Sequence, residues 1–141
     1  MTNRVLFICT GNFYRSRFAE AVFNHLAEKQ GLNWRAFSRG LAIHWAEGYL
    51  SPYTARALEA RQIALRHTGP ARVQLSAHDL EDSQRQIALD RAEHYPMMRE
   101  QFPLWADRIE YWHVVDMPVC SSEVALPEIE RNVNALLTEL G

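Results

Sequence analysis

The sequence predicts a three-layer α/β fold, in which a four-stranded parallel sheet is flanked by helices. Short apolar segments rich in β-branched residues alternate with amphipathic segments of helical periodicity along the chain. The first apolar segment carries no polar residue, as expected for a strand buried on both faces. The length of 141 residues suits one domain, residues 1–141, which is large enough to bury a core.

The first strand is predicted over residues 5–8 and is followed by a Thr-Gly-Asn turn. From Ser16 onward, apolar residues recur at the spacing of an amphipathic helix, and Gly31 marks its end because glycine readily adopts the left-handed conformation there. Further strands are predicted over residues 34–38, 86–89 and 111–115. Further helical segments are predicted over residues 52–66, 76–82, 92–101 and 123–140, with Val124 on the apolar face of the last.

Composition and charge argue against several classes of protein. The net charge of −2 argues against a nucleic-acid binder, and the apolar segment at the start is far shorter than the roughly 20 residues that span a bilayer. The two cysteines, Cys9 and Cys120, make no disulfide framework, so we expect a cytoplasmic protein with reduced thiols. The six histidines lack a paired ligand spacing, so we predict no metal and no cofactor. We expect a monomer or a weak dimer.

The segment from Cys9 to Ser16 has the features of an anion-binding loop. The N–H groups of a loop between a strand and a helix, together with the helix N-terminus, can point to one place. Gly11 and Asn12 tolerate the positive φ that a loop folded around an oxyanion needs. Arg15 carries a guanidinium able to bind two oxygens at once. These positive surroundings favour the thiolate form of Cys9, to which the Ser16 hydroxyl can donate a hydrogen bond.

Two other kinds of phosphate loop do not fit this segment. It lacks the lysine of a nucleotide P-loop and the glycine pattern of a dinucleotide site. A purely structural interpretation, with Cys9 buried at a strand end and Arg15 exposed on a helix, would suffice for an isolated pair at this spacing. The preceding strand, the Gly11-Asn12 pair, Ser16 and the following helix together favour a nucleophile in an anion site.

Residues 5–23, VLFICTGNFYRSRFAEAVF, resemble the opening of the low-molecular-weight protein tyrosine phosphatases, whose signature is a C-x5-R-S loop near the N-terminus. The resemblance continues more weakly through residues 37–40, through the loop around Trp45, and to Asp116. It implies a sheet with strand order 2-1-3-4 and a phosphocysteine intermediate on Cys9.

The resemblance also implies roles for the residues of the site. Arg15 is expected to hold the phosphoryl oxygens, Ser16 to stabilise the thiolate, and Asn12 and Ser38 to brace the loop. The substrate would be an aryl phosphate, in particular phosphotyrosine in a protein. The residues expected to bind it are Thr10, Gly11, Asn12, Phe13, Tyr14, Ser16 and Trp45.

Asp116 is the predicted general acid, because phosphoester cleavage needs a proton on the leaving oxygen. It is a lone carboxylate that follows the fourth predicted strand, at the sheet edge where ligands bind in such folds. The family places its acid in an Asp-Pro loop, whereas the proline here comes one residue late, in Asp-Met-Pro. A turn-forming aspartate is the alternative interpretation. Asp90 and Asp107 are weaker candidates for the acid.

Two residues of the loop depart from the family pattern. Tyr14 replaces a cysteine that can protect the nucleophile as a disulfide, which leaves Cys120 as the other thiol available for that purpose. Arg17 replaces the usual proline. Two interpretations of Arg17 are open: a wider basic rim that selects acidic substrates, or a tolerated surface residue.

Two other functions stay open. The displaced proline after Asp116 leaves room for a module that binds phosphorylated partners without hydrolysing them. An arsenate reductase of the related fold is the third hypothesis, but that chemistry passes a disulfide through further cysteines, and only Cys120 is present.

Overall fold

The computed structural model describes residues 1–141 and confirms the predicted α/β fold and strand order. The strands are Asn3–Cys9 (β1), Trp34–Gly40 (β2), Arg85–Ala88 (β3) and Glu110–Tyr111 (β4). They pair in parallel in the order β2-β1-β3-β4. β1 pairs with β2 along its whole length, which places Cys9 opposite Gly40 at the carboxyl edge of the sheet.

Five α-helices cover the sheet. They are Arg15–Gln30 (α1), Pro52–Ala60 (α2), Ala77–Glu81 (α3), Arg91–Gln101 (α4) and Ser122–Leu140 (α5). As predicted, α1 ends at Gly31, which adopts a φ of 67°. No helix of the chain combines the length and the apolar character needed to cross a membrane.

Both faces of β1 are buried, as its uninterrupted apolar sequence predicts. Val5 and Phe7 belong to a cluster with apolar residues of α1 and α5. Leu6 and Ile8 belong to a second cluster with Met98 of α4. Successive side chains of a strand point to opposite faces, so one strand contributes to two cores and fixes the layer order helix, sheet, helix.

Two predicted elements are shorter in the structure. β4 covers two residues rather than 111–115, because β3 ends at Ala88 and no regular partner continues beyond it. Only the amides of Trp112 and Val114 still donate, to the carbonyls of Ala88 and Leu89. α2 stops at Ala60 rather than near residue 66.

The end of α2 lacks the usual sequence signal, since Gln62, not a glycine, takes a positive φ of 56°. The chain then makes a separate single turn of 3₁₀-helix over Leu65–His67.

The sequence pattern predicted Val124 on the apolar face of α5, and this prediction is wrong. Val124 is 56% exposed, on the same helix face as Glu128 and Arg131, and so lies outside the apolar face of α5.

Candidate active site

The loop between β1 and α1 places Cys9 at the N-terminus of a helix. Cys9 ends β1 and Arg15 begins α1, so residues 10–14 form the connection. Asn12 adopts a φ of 51°, as predicted, whereas Gly11 does not adopt a positive φ. Gly11 meets a different requirement: a Cβ atom there would lie 3.0 Å from the Cβ of Ala46.

A cavity of about 270 Å³ opens over this loop. Among its lining residues are Cys9, Arg15 and Asp116, the three predicted catalytic residues. The other lining residues are Thr10, Gly11, Phe13, Tyr14, Trp45 and Ala46. Asn12 and Ser16, which we also predicted to bind substrate, are fully buried and do not line the cavity.

The buried polar residues behind the loop form a network that reaches the sulfur. Cys9 Sγ lies 2.9 Å from Ser16 Oγ. The two N–H groups of the Asn12 amide donate to Ser16 Oγ at 2.9 Å and to Ser38 Oγ at 3.0 Å. The backbone N–H of Val73 donates to Asn12 Oδ1 at 2.9 Å and so fixes the orientation of that amide. Because Ser16 Oγ already accepts from Asn12, its own hydrogen is available to the sulfur.

Arg15 is almost completely buried, with 2% of its surface exposed, rather than extended into solvent. Its Nη1 donates to the carbonyl of Val114 at 2.9 Å, and its Nη2 donates to Glu93 Oε2 at 2.8 Å. A guanidinium has five N–H donors, so these two hydrogen bonds leave donors for an oxyanion in the cavity. The position of Arg15 beside Cys9 therefore allows bidentate binding of an anion.

Glu93 is a member of this site that the sequence did not single out. Its carboxylate contacts the Thr10 hydroxyl and Arg15, and it lies 3.2 Å from His94 Nε2. The backbone N–H of Asp90 donates to His94 Nδ1 at 3.1 Å, so the ring proton lies on Nε2 and points to Glu93 and Thr10. The available signal was the position of Glu93 in the first turn after β3, at the same sheet edge as Cys9.

The surroundings of Glu93 favour its charged form. Burial alone would raise its pKa, but the hydrogen bonds from His94 and Arg15 outweigh burial and hold the pKa of this carboxyl well below its usual range. At neutral pH a negative charge therefore lies against the guanidinium of Arg15.

Asp116 lies at the cavity, as the sequence predicted from its place after the fourth strand. Its Oδ2 is 3.3 Å from Arg15 Nη2, and its Oδ1 accepts a hydrogen bond from the backbone N–H of Met117 at 2.8 Å. The side chain is 47% exposed, so it can exchange protons with solvent. Asp90 and Asp107, the weaker candidates, do not line the cavity.

Tyr14 places an aromatic ring in the loop where the family has a cysteine. The residue is 7% exposed, and its hydroxyl is buried without a hydrogen-bond partner. Burial and the nearby Asp116 raise the pKa of Tyr14 to about 12. Cys120, the second thiol, is partly buried against the core and does not line the cavity of Cys9.

Both interpretations of Arg17 as a surface residue are wrong. Its side chain has no exposed area. Its Nε donates to Thr68 Oγ1 at 2.6 Å, and its terminal nitrogens donate to the carbonyls of Tyr49 and Gly69 at 3.1 and 2.6 Å. The first turn of α1 faces the chain around residues 49 and 68–69, which covers the guanidinium and supplies oxygens to it.

Comparison with known proteins gives one consistent family. The family model described as low molecular weight phosphotyrosine protein phosphatase matches residues 4–140. The protein-arginine-phosphatase of Bacillus subtilis (strain 168) is 31% identical over 105 residues, which are 74% of this chain and 67% of that protein. The low molecular weight protein-tyrosine-phosphatase YfkJ of the same organism is 37% identical over 87 residues, which are 61% of this chain and 55% of that protein.

The fold is shared over nearly the whole chain. The crystal structure of the low molecular weight protein tyrosine phosphatase from T. tengcongensis superposes with a TM-score of 0.84 at 26% identity. The superposition covers 99% of this chain and 100% of that one. The sequence alignments thus span about half to two thirds of the two relatives' lengths, whereas the structural similarity is complete.

Proposed function

The chain belongs to the low molecular weight phosphotyrosine protein phosphatase family, and we propose that it hydrolyses aryl phosphates, in particular protein phosphotyrosine, with Cys9 as nucleophile. The observation that carries the proposal is the position of the Cys9 sulfur. It lies at the cavity beside Arg15, 2.9 Å from a serine hydroxyl whose oxygen is already an acceptor. This geometry suits a thiolate that attacks a bound oxyanion.

The proposed reaction has two steps. In the first, the thiolate attacks phosphorus, an S–P bond forms, and the P–O bond to the leaving phenol breaks while Asp116 supplies its proton. In the second, water attacks the phosphocysteine, transfers a proton to Asp116, and releases inorganic phosphate and the thiolate. Arg15 and the loop N–H groups stabilise the charge on the phosphoryl oxygens in both steps.

The walls of the cavity favour an aromatic leaving group. Phe13, Trp45 and Ala46 supply apolar surface beside the polar loop, and Trp45 is 70% exposed. Cys9 is only 2% exposed, so a phosphoryl group must enter deeply to reach the sulfur. The long, flat side chain of phosphotyrosine suits both features, because its ring can contact apolar walls while its phosphate reaches the loop.

Hydrolysis of p-nitrophenyl phosphate tests the proposal. We expect turnover by the wild type, loss of turnover in Cys9→Ser, and retained turnover in Cys120→Ser, which is the matched control for the other thiol. Acid quenching during turnover should leave a phosphoryl group on Cys9, detected by peptide mass spectrometry. Binding of phosphopeptide without turnover by the wild type would instead favour the binding module, and thioredoxin-coupled arsenate turnover would favour the reductase.

The general acid is tested with two leaving groups. Asp116→Asn should lose roughly 10²–10⁴-fold in kcat for phosphotyrosine, together with the high-pH limb of the rate profile. The loss should be smaller for p-nitrophenyl phosphate, since its more acidic phenol needs less help to leave. Asp107→Asn is the control, because that carboxylate lies outside the cavity and accepts a hydrogen bond from Tyr95. Equal losses for both substrates would contradict the assignment of Asp116.

Phosphoarginine is a second candidate substrate. The relative that is 31% identical is a protein-arginine-phosphatase, and Asp116 at the cavity offers a carboxylate to a guanidinium leaving group. Two peptides of identical sequence, one with phosphotyrosine and one with phosphoarginine, should be compared by kcat/KM. The apolar wall formed by Phe13 and Trp45 leads us to expect the higher value for phosphotyrosine.

The expected cellular compartment follows from the chemistry of the nucleophile. A catalytic thiolate must stay reduced, so we place the protein in the cytoplasm. The net charge of −2 argues against binding to nucleic acid, and we expect a monomer or a weak dimer whose partner is its phosphoprotein substrate.

A further inference from the structure

Arg17 and Glu20 form a buried pair of opposite charges one turn apart in α1. Arg17 Nε lies 3.9 Å from Glu20 Oε1, and neither residue is more than 7% exposed. Arginine stays protonated at any physiological pH. A buried cation is costly unless an anion accompanies it, so Arg17 favours the carboxylate form of Glu20.

Glu20 in turn accepts hydrogen bonds from two hydroxyl groups. Ser38 Oγ donates to Glu20 Oε1 at 2.7 Å, and Thr68 Oγ1 donates to the same oxygen at 2.8 Å. Burial raises the pKa of Glu20 above its ordinary value, and the two hydrogen bonds and the charge of Arg17 offset only part of this rise. The ionisation of Glu20 therefore depends on the neighbours that compensate for burial.

A path of hydrogen bonds runs from Arg17 through Thr68, Glu20, Ser38, Asn12 and Ser16 to Cys9, and its donors converge on Glu20 from both sides. Arg17 can only donate and a carboxylate can only accept, so the hydroxyl hydrogens of Thr68 and Ser38 must both point to Glu20. Ser38 Oγ is thereby left as an acceptor for Asn12 Nδ2.

The path continues from Asn12 to the nucleophile. The second N–H of Asn12 occupies the oxygen of Ser16, which leaves the Ser16 hydrogen to the Cys9 sulfur. The Asn12 amide thus has two supports: the N–H of Val73 on its oxygen, and Ser38 Oγ, which the Glu20 carboxylate keeps as an acceptor for its Nδ2.

We propose that Arg17 is a positioning residue for the nucleophile: by keeping Glu20 as an acceptor-only carboxylate, it keeps Ser38 Oγ an acceptor and so helps to hold the Asn12 amide against Ser16, whose hydrogen is left to the Cys9 thiolate. The proposal rests on the proposed function, in which that thiolate attacks the substrate. Without the cation, protonation of Glu20 is favoured, and its O–H would donate to Ser38 Oγ. The hydrogen of Ser38 would then turn toward Asn12 Nδ2 and displace the amide from Ser16. Cys9 would then lose the hydrogen bond that favours its charged form.

Other ionisable groups also face the two ends of the path. Arg15 from α1 and Asp116 from the loop after β4 line the cavity with Cys9, as does Tyr14. Glu93 and His94 from α4 act on Cys9 through Arg15 and Thr10. At the Glu20 end, Arg17 is the charged partner. None of these groups around Cys9 is a hydrogen-bond partner of Arg17, so a change at Arg17 acts on Cys9 through the path.

The pH dependence of Cys9 alkylation tests the proposal, because iodoacetamide reacts with the thiolate. All variants carry Cys120→Ser, so that alkylation is measured at Cys9 alone. Arg17→Met should move the midpoint of the rate profile upward by on the order of one pH unit, which means about tenfold slower alkylation below the midpoint. Arg17→Lys, which keeps a buried cation but replaces three donor nitrogens by one, should show a smaller shift than Arg17→Met.

The matched control is Arg61→Met, which breaks an Arg–Glu pair of 2.9 Å with Glu130 outside the network of Cys9. It should leave the alkylation midpoint unchanged. In a Ser16→Ala background, Arg17→Met should cause no further shift, since the path is already interrupted. If Arg17→Met does not fold, Thr68→Val interrupts the same path with a side chain of similar shape and should also raise the midpoint.

An unchanged midpoint in a folded Arg17→Met protein, or an equal shift in Arg61→Met, would overturn the proposal. A general loss of stability would not shift the midpoint of the folded fraction, so a structural role alone is distinguishable. The assay requires no turnover. A shifted midpoint in a protein without phosphatase activity would support the positioning role and contradict only the proposed function.

Discussion

The Nη2 atom of Arg15 donates to the Glu93 carboxylate at 2.8 Å, inside the site where an oxyanion is expected. Glu93 reaches this position from the first turn of α4, and its pKa is held below the usual range by Arg15 and His94 in spite of burial. A fixed negative charge thus competes with a bound anion for the same guanidinium.

Removing the charge of Glu93 should strengthen anion binding. We expect Glu93→Gln to lower the dissociation constant of inorganic phosphate by about threefold to tenfold, because like-charge repulsion near Arg15 disappears. Isothermal titration calorimetry measures the constant directly. Glu100→Gln, an equal change of charge at an exposed position of α4, should have little effect. Weaker phosphate binding in Glu93→Gln would show instead that Glu93 is needed to orient Arg15.

The same carboxylate should contribute stability that depends on pH. The folded state lowers the pKa of Glu93, so its contribution is fully present above the ordinary value of 4.5 and is lost as the pH falls below it. Glu93→Gln should reduce the free energy of unfolding by about 1 kcal/mol at pH 7, and the difference should shrink toward pH 3. Urea unfolding at pH 7, 5, 4 and 3 measures it. A difference that does not change with pH would contradict this origin.

Gly40 should tolerate no side chain. A Cβ atom there would lie 2.7 Å from the carbonyl oxygen of Thr10 and 2.9 Å from the backbone nitrogen of Asn12. We expect Gly40→Ala to push the loop out of place, reducing stability by about 1–3 kcal/mol and phosphate affinity at least several-fold. Gly69→Ala is the control, since its new Cβ would meet nothing closer than 3.9 Å. Wild-type phosphate binding in Gly40→Ala would contradict the expected loop displacement.

Tyr14→Phe should stabilise the protein or leave it unchanged. The hydroxyl of Tyr14 is buried without a partner, so its removal abolishes a desolvation penalty of roughly 1 kcal/mol or more. Tyr111→Phe offers a direct comparison, because that hydroxyl donates to the carbonyl of Ala106 at 2.6 Å and its loss should destabilise the protein. Thermal or urea unfolding of both variants decides; a destabilised Tyr14→Phe protein would mean that its hydroxyl has a partner.

The elements with regular patterns were predicted well, and those without them were not. α1 repeats its apolar positions over four turns and is followed by Gly31, so the sequence predicts both the helix and its end. α2 ends at Ala60, and two residues later Gln62, which has no special preference for that conformation, takes a positive φ. β4 is short because its partner β3 ends, a limit set by another segment of the chain.

Some residues of the site were likewise predicted from local sequence, and one was not. Cys9, Arg15 and Asp116 were identified from a loop motif and from position after a strand, and the structure brings them to one cavity. Glu93 was not predicted, because the rule that functional residues follow the carboxyl ends of parallel strands favours Asp90, which lies closer to the end of β3. Only the direction of α4 decides which of the two carboxylates meets Arg15.

The sequence by itself determined the layer order, the loop that bears the nucleophile, and the family, because these features depend on residues close together in the chain. Only the tertiary structure decided the environments of Arg17 and Glu93. Their hydrogen-bond partners, Thr68 and Arg15, lie 51 and 78 residues away. From sequence alone a charged side chain is expected at the surface. Its burial becomes favourable only when distant segments supply hydrogen-bond partners, which the local sequence does not show.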